Sequence, residues 1–200
     1  GSTIWLTNNG KAGSTLLSSF DPTIPALSIA VPPESAASAR VTGAAFNPGN
    51  GFEVTIAQHT GVARFITASE GGVLSGWAPA LGLEHAVVAF DGSATGAVYT
   101  GLAMTPQGVD SALLAADFHN GVIDVFGPNF AKQPGAGRFV DPELPAGYAP
   151  FGISAQGALV YVVYAKPDAS GHAPRAGTGL GMVNVFDDAG RLLQRLVPAG

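Results

Sequence analysis

The chain has 200 residues, a net charge of −5, only 12% charged residues and no cysteine. Its charged share is about half of the roughly 25% usual in soluble domains. No basic stripe is present to neutralise phosphates, which argues against a nucleic-acid partner, and the absence of cysteine excludes disulfides and thiolate metal sites.

No apolar run reaches the roughly 18 residues a membrane span needs. The opening GSTIWLTNNG has no basic region followed by an apolar stretch, so no signal peptide is visible. Glycine (28) and proline (15) are abundant and separate short β-type runs, the mark of frequent turns in an all-β chain.

In chain order, TIWLTN (3–8) and STLLSSF (14–20) read as second and third strands of a unit, and ALSIAV (26–31) as its outer strand. No inner-strand phrase precedes them. A phrase then recurs: TGAAF (42–46), TGLAM (100–104) and FGISA (151–155) each open a unit. RFITAS (64–69), ALLAAD (112–117) and VYVVYA (160–165) follow as second runs; VLSGW (73–77), VIDVF (122–126) and MVNVF (182–186) as third runs. Outer strands are expected at HAVVAFD (85–91), GRFVD (137–141) and RLLQRLV (191–197), the last reading as strand over helix because it follows the turn DDAG. FEVTIA (52–57) is an additional strand; an alternative register makes it the second strand and RFITAS the third.

Repetition at roughly fifty residues in short β-type runs points to a β-propeller. The expected units are 1–40, 41–91, 98–141 and 150–197, about four four-stranded blades in one all-β domain or fragment. Such an open ring leaves blade edges through which the chain is expected to self-associate.

In a propeller the turns between second and third strands share one face with the connections between blades. Candidates on that face are Glu70, Tyr99, Asp117, His119, Asn120, Tyr148, Lys166, Asp168 and His172. Asp117-Phe118-His119-Asn120-Gly121 is the sharpest local feature. Asp117, His119 and Asn120 could ligate calcium or zinc, with His119 alternatively a general base. The competing and favoured reading makes Asp117 a turn cap and Asn120-Gly121 the tight-turn pair. Lys166, Asp168 and His172 sit in the long insertion 166–181, and long loops are functional or mobile. Tyr99, Tyr148 and Phe151 stand at blade entries, suited to stacking or to packing between blades; Trp5 and Trp77 read as core. The histidines His59, His85, His119 and His172 have no local zinc spacing, and no G-x-S-x-G, P-loop or dinucleotide fingerprint is present.

The phrases ASEGGVLSGWAP (68–79), GSATGAVYTGLAM (92–104), AADFHNGVIDVF (115–126), DPELPAGYAPFGI (141–153), VYAKPDASGH (163–172) and VNVFDDAGRLLQRL (183–196) resemble a bacterial family of conserved hypothetical proteins. Its members look like six-bladed NHL-type propellers, typically exported, some with a PEP-CTERM sorting tail. The resemblance implies that this chain is roughly the first two-thirds of a ring, in the envelope or outside a bacterium, and that Asp117 and Asn120 serve the turn.

The first functional expectation is a non-enzymatic binding or scaffold module. It takes a protein, glycan or small ligand on the loop-rich face and needs no cofactor. The alternatives are a metal-assisted hydrolase, lactonase or lyase with ligands around a central channel, and a structural envelope or matrix protein.

Overall fold

The computed structural model describes residues 3–8, 13–18, 27–31, 40–82, 84–105, 111–135 and 137–200. They form an all-β molecule of antiparallel sheets, none closed on itself. Sheet one has the order β1 (Thr3–Asn8), β2 (Gly13–Ser18), β3 (Leu27–Ala30). Sheet two runs β4 (Val41–Phe46), β7 (Phe65–Ser69), β8 (Val73–Trp77), β9 (Val87–Asp91), with β5 (Glu53–Ile56) and β6 (His59–Val62) a separate hairpin inserted after β4. Sheet three is β10 (Tyr99–Met104), β11 (Leu113–Asp117), β12 (Val122–Phe126). Sheet four is β13 (Ala149–Gln156), β14 (Leu159–Ala165), β15 (Gly181–Asp187), β16 (Leu192–Val197). Among the described residues no helix is long and apolar enough to cross a membrane.

Each sheet is a simple meander, and the first strands β1, β4, β10 and β13 lie successively side by side. The recurring phrase explains how. In β4, β10 and β13 the ladder shifts by one residue just before a glycine: at Val41/Gly43, Tyr99/Gly101 and Pro150/Gly152. Such bulges bend the strand, and glycine admits a neighbouring backbone. A Cβ on Gly43 would stand 2.8 Å from the Leu102 nitrogen, and one on Gly101 would stand 3.1 Å from the Ile153 nitrogen.

Apolar seams fill the gaps between sheets. Ile29, Val31, Val41 and Trp77 join sheets one and two. Ile66, Leu74, Tyr99, Leu113 and Phe126 join sheets two and three, with Phe52 and Phe130 closing the rim at a ring separation of 5.1 Å. Leu114, Val125, Val160, Val162, Tyr164 and Phe186 join sheets three and four. The strand sequences match these roles. FITAS, VLSGW and LLAAD are almost wholly buried, as expected of strands covered on both faces. LVYVVYA alternates, with Val160, Val162 and Tyr164 buried while Leu159 and Val163 are exposed, as expected of a strand covered on one face.

The structure corrects the expected pattern at two places. TIWLTN takes the edge position beside β4, with β2 its only strand partner among the described residues, so STLLSSF stands second and ALSIAV third in that sheet rather than third and outer. GRFVD forms no strand, so among the described residues sheet three has three strands: after Gln133 the chain leaves the edge of β12, and Arg138 donates to the Gly135 carbonyl at 3.2 Å. Elsewhere the primary register holds. FEVTIA contributes a hairpin strand and RFITAS the second strand of its sheet, and RLLQRLV is a strand. The side chain of Trp5 lies outside the described residues; Trp77 is core, 7% exposed.

Candidate functional site

Among the described residues, the turns after β7, β11 and β14 lie beside the residues that lead into β4, β10 and β13. Arg40 and Glu70 pair there at 3.7 Å, and Gly92 donates to the Gly72 carbonyl at 2.9 Å. The Asn120 amide reaches the Thr95 carbonyl at 3.4 Å, and Lys166 Nζ lies 4.9 Å from the centre of the Tyr148 ring. His119, on the sheet-three turn, packs against Gly96 and against Gly171 of the 166–181 insertion. The His119 and His172 ring centres are 6.0 Å apart. Gly171 makes this approach feasible: it has φ +73°, and a Cβ there would meet His119 Nδ1 at 2.6 Å.

The carboxylates in this region are engaged in building it. Asp117 is fully buried. Its Oδ1 accepts from the Val98 N–H at 3.1 Å and the Asn120 N–H at 3.2 Å, and its Oδ2 accepts from the Asn120 side chain at 2.8 Å. Its carbonyl accepts from Gly121 at 3.0 Å, where φ +70° closes the turn. Val41 pairs with Ser69 in sheet two as Tyr99 pairs with Asp117 in sheet three, so the same place holds serine in one sheet and aspartate in the other. The turn-capping reading of Asp117 and Asn120 therefore describes the geometry, and the proposed metal role of Asp117 does not. Asp168 Oδ1 accepts from the Ser170 hydroxyl at 2.6 Å and its backbone N–H at 3.0 Å. These bonds hold the Asp168 carboxyl below the usual carboxylate range, the Ser170 hydroxyl contributing most. Among the described residues no group of three or more His, Asp or Glu is arranged to hold a metal ion.

Tyr99 packs between sheets two and three: it is fully buried and its hydroxyl donates to Asp124 Oδ2 at 2.9 Å. Burial, then the Asp124 charge, pushes this phenol up. Tyr148 is 8% exposed and donates to the Gly179 carbonyl at 3.2 Å, so it packs between elements and offers Lys166 only its ring.

A second polar region had no local motif to announce it. It lies on the outer rim between sheets three and four, under the connection from Gly127 to Tyr148. Asp124, 3% exposed, holds Lys132 Nζ at 2.7 Å as well as Tyr99. Asp141 accepts from Arg195 Nε at 2.9 Å and from Asn184 Nδ2 at 2.9 Å. The Arg195 hydrogen bond holds the Asp141 carboxyl below its ordinary 3.8 against the opposing effect of burial. Burial pushes the Tyr164 phenol up to about 12. The Asn184 side chain beside it opposes this shift, and both the Tyr164 hydroxyl and Asn184 Oδ1 are sealed from solvent.

No family model matches the chain. Three proteins of Acanthamoeba polyphaga mimivirus are similar to it. Uncharacterized protein L690 is 30% identical over 166 residues, covering 80% of this chain and 43% of the relative. Uncharacterized protein R648 is 30% identical over 166 residues, covering 80% and 40%. Uncharacterized protein R640 is 27% identical over 134 residues, covering 65% and 24%. The chain thus spans less than half the length of each relative. These findings overturn the expected membership of a bacterial NHL-type family: the relatives are viral, and no family model supports the repeat assignment.

Proposed function

We propose that the four sheets are blades of a β-propeller and that the chain is a binding or scaffold module. Its ligand face is the one where the turns gather. Successive meanders with their first strands side by side support the propeller reading. The observation that carries the binding reading is the His119–His172 pair, drawn from two sheets to a ring separation of 6.0 Å. With Asp117 and Asp168 committed to turns, the face offers imidazole nitrogens and the Lys166 ammonium. This set suits a protein, glycan or small ligand rich in hydrogen-bond acceptors.

Glycan and acidic-peptide arrays probed with wild type and the His119→Ala/His172→Ala variant test this. Binders are expected to lose at least about tenfold in affinity. An array without binders, or binders indifferent to the double substitution, rejects the proposal. The same histidine pair favours a second reading, a metal-assisted hydrolase or lactonase, because imidazole suits zinc. Stoichiometric zinc in elemental analysis, lost in His119→Ala, decides for it. Self-association through open edges belongs to the propeller reading and is supported by exposed Leu193, Leu196 and Val197 on β16. A single monomer boundary in sedimentation counts against it.

A further inference from the structure

Asparagine is followed by glycine at Asn9-Gly10, Asn50-Gly51 and Asn120-Gly121. The first pair lies outside the described residues, and the other two are placed very differently. Their shared chemistry is general. The backbone nitrogen of the glycine can attack the side-chain carbonyl carbon of the asparagine, because glycine has no Cβ to restrict the approach. Attack needs that nitrogen free and the side-chain amide able to turn towards it.

Asn120-Gly121 meets neither condition. The Gly121 N–H donates to the Asp117 carbonyl at 3.0 Å. The Asn120 side-chain nitrogen donates to Asp117 Oδ2 at 2.8 Å and to the Thr95 carbonyl at 3.4 Å, and its backbone N–H to Asp117 Oδ1 at 3.2 Å. Asp117 is fully buried, so these bonds break only when the turn opens.

Asn50-Gly51 meets both. It stands in the bend between β4 and β5, and Asn50 is exposed. Among the described residues, neither the Asn50 side chain nor the Gly51 N–H has a hydrogen-bond partner. The rest of the loop is held. The Gly51 carbonyl accepts from Asn47 Nδ2 at 2.8 Å, and Phe52 donates to the Pro128 carbonyl. A Cβ on Gly51 would stand 2.6 Å from Pro128 Cβ, so the packing against Pro128 demands glycine at this position. The residue that packing requires is the one that leaves Asn50 open to attack.

We propose that Asn50 is a site of spontaneous deamidation and that Asn120, in the same dipeptide, is protected by its turn. The Gly51 nitrogen bonds to Asn50 Cγ. Its proton and the side-chain NH₂ leave together as ammonia, and a five-membered succinimide ring remains. Water opens that ring at either carbonyl, giving aspartate or isoaspartate with one added negative charge. No oxidant or cofactor enters. In the isoaspartate form the main chain runs through the former side chain and is one methylene longer. The extra length falls just before Phe52, whose ring packs on Phe130 at 5.1 Å where sheets two and three meet. The site is independent of the histidine pair.

Peptide mapping by mass spectrometry, on the full chain held at mildly alkaline pH, follows the amide-to-acid conversion at both pairs. Asn50 is expected to convert at least about tenfold faster than Asn120, the factor set by loss of one hydrogen bond to a carboxylate. In concentrated urea the two rates are expected to converge, because the protection of Asn120 belongs to the fold. Asn50→Gln removes an exposed side chain without a partner, so it folds as wild type does. It is expected to abolish labelling of this segment by an isoaspartate-specific methyltransferase supplied with S-adenosylmethionine. Absence of conversion at Asn50, equal rates at Asn50 and Asn120 in the folded chain, or a ratio unchanged by urea overturns the proposal.

Discussion

Gly101 in sheet three and Gly152 in sheet four stand at the same point, each just past a bulge in the first strand. Their surroundings differ. A Cβ on Gly101 would press on the backbone of Gly152 and Ile153 at 3.1–3.2 Å, whereas one on Gly152 would meet only Val163 of its own sheet, at 3.6 Å. The strands behind them repeat the contrast: β11 is buried throughout, while β14 leaves Leu159 and Val163 exposed. Sheet three is packed on two sides and sheet four on one. The glycine of the recurring phrase therefore answers to a neighbouring sheet rather than to its own strand. Sheet four carries the same device on a side that no described residue covers.

The largest expected effect lies in the tightly packed sheet. Asp117→Ala removes the acceptor of the Val98 N–H and of both Asn120 donors. Leaving buried donors unmade costs about 3 kcal/mol. Ser69 holds the equivalent place in sheet two with contacts of 3.4 Å to Val73, so Ser69→Ala is expected to cost about 1 kcal/mol. Urea denaturation of both variants measures the difference; equal losses would mean the two turns are braced alike. Next come Gly43→Ala and Gly101→Ala. The atoms they would strike are backbone, which cannot swing aside, so each is expected to cost about 2 kcal/mol. A neutral result at either position breaks the account of how the sheets meet.

How far this arrangement was legible follows from the range of the interactions. The strands of sheets two, three and four were readable because alternation, apolar runs and Gly-containing turns are local. The cap at Asp117 was readable for the same reason: its partners Asn120 and Gly121 are three and four residues away. TIWLTN was misplaced because second and inner strands both read as short apolar runs, and only packing against β4 separates them. GRFVD was misread because Phe139 and Val140 look like strand residues, while the left-handed turn at Phe139 is set by Gly190, 51 positions on. Tyr99 could be read either as a face residue or as packing between units; it packs, and its partner Asp124, across the sheet, could not be read locally. The outer-rim site joins Asp124, Asp141, Tyr164 and Arg195, whose separations in sequence carry no motif.

A smaller effect concerns the connection that closes this rim. The Asp141 carboxyl is held below its ordinary 3.8, chiefly by Arg195, so its folded value lies under its unfolded one. The stability this supplies is complete above the unfolded value and is lost as pH falls through the folded one. Arg195→Met removes the cause. The gap in urea midpoint between wild type and Arg195→Met is therefore expected to be present at neutral pH and to shrink below about pH 4. A gap that stays constant with pH would show that Arg195 acts through packing alone.

The smallest expected effect is the one that most sharpens the contrast between the two sheets. Gly152→Ala places a methyl group beside Val163 in ordinary contact, at a backbone angle outside the left-handed region. It is expected to change the stability of this chain by less than about 0.5 kcal/mol. The matched stretch is less than half of each mimivirus relative, so the same substitution in a longer chain asks a different question. If a further sheet packs on sheet four as sheet four packs on sheet three, the cost at Gly152 should rise to that at Gly101, about 2 kcal/mol. If it stays near zero in the longer chain, the uncovered side of sheet four is not continued by another sheet, and the propeller reading loses its simplest extension.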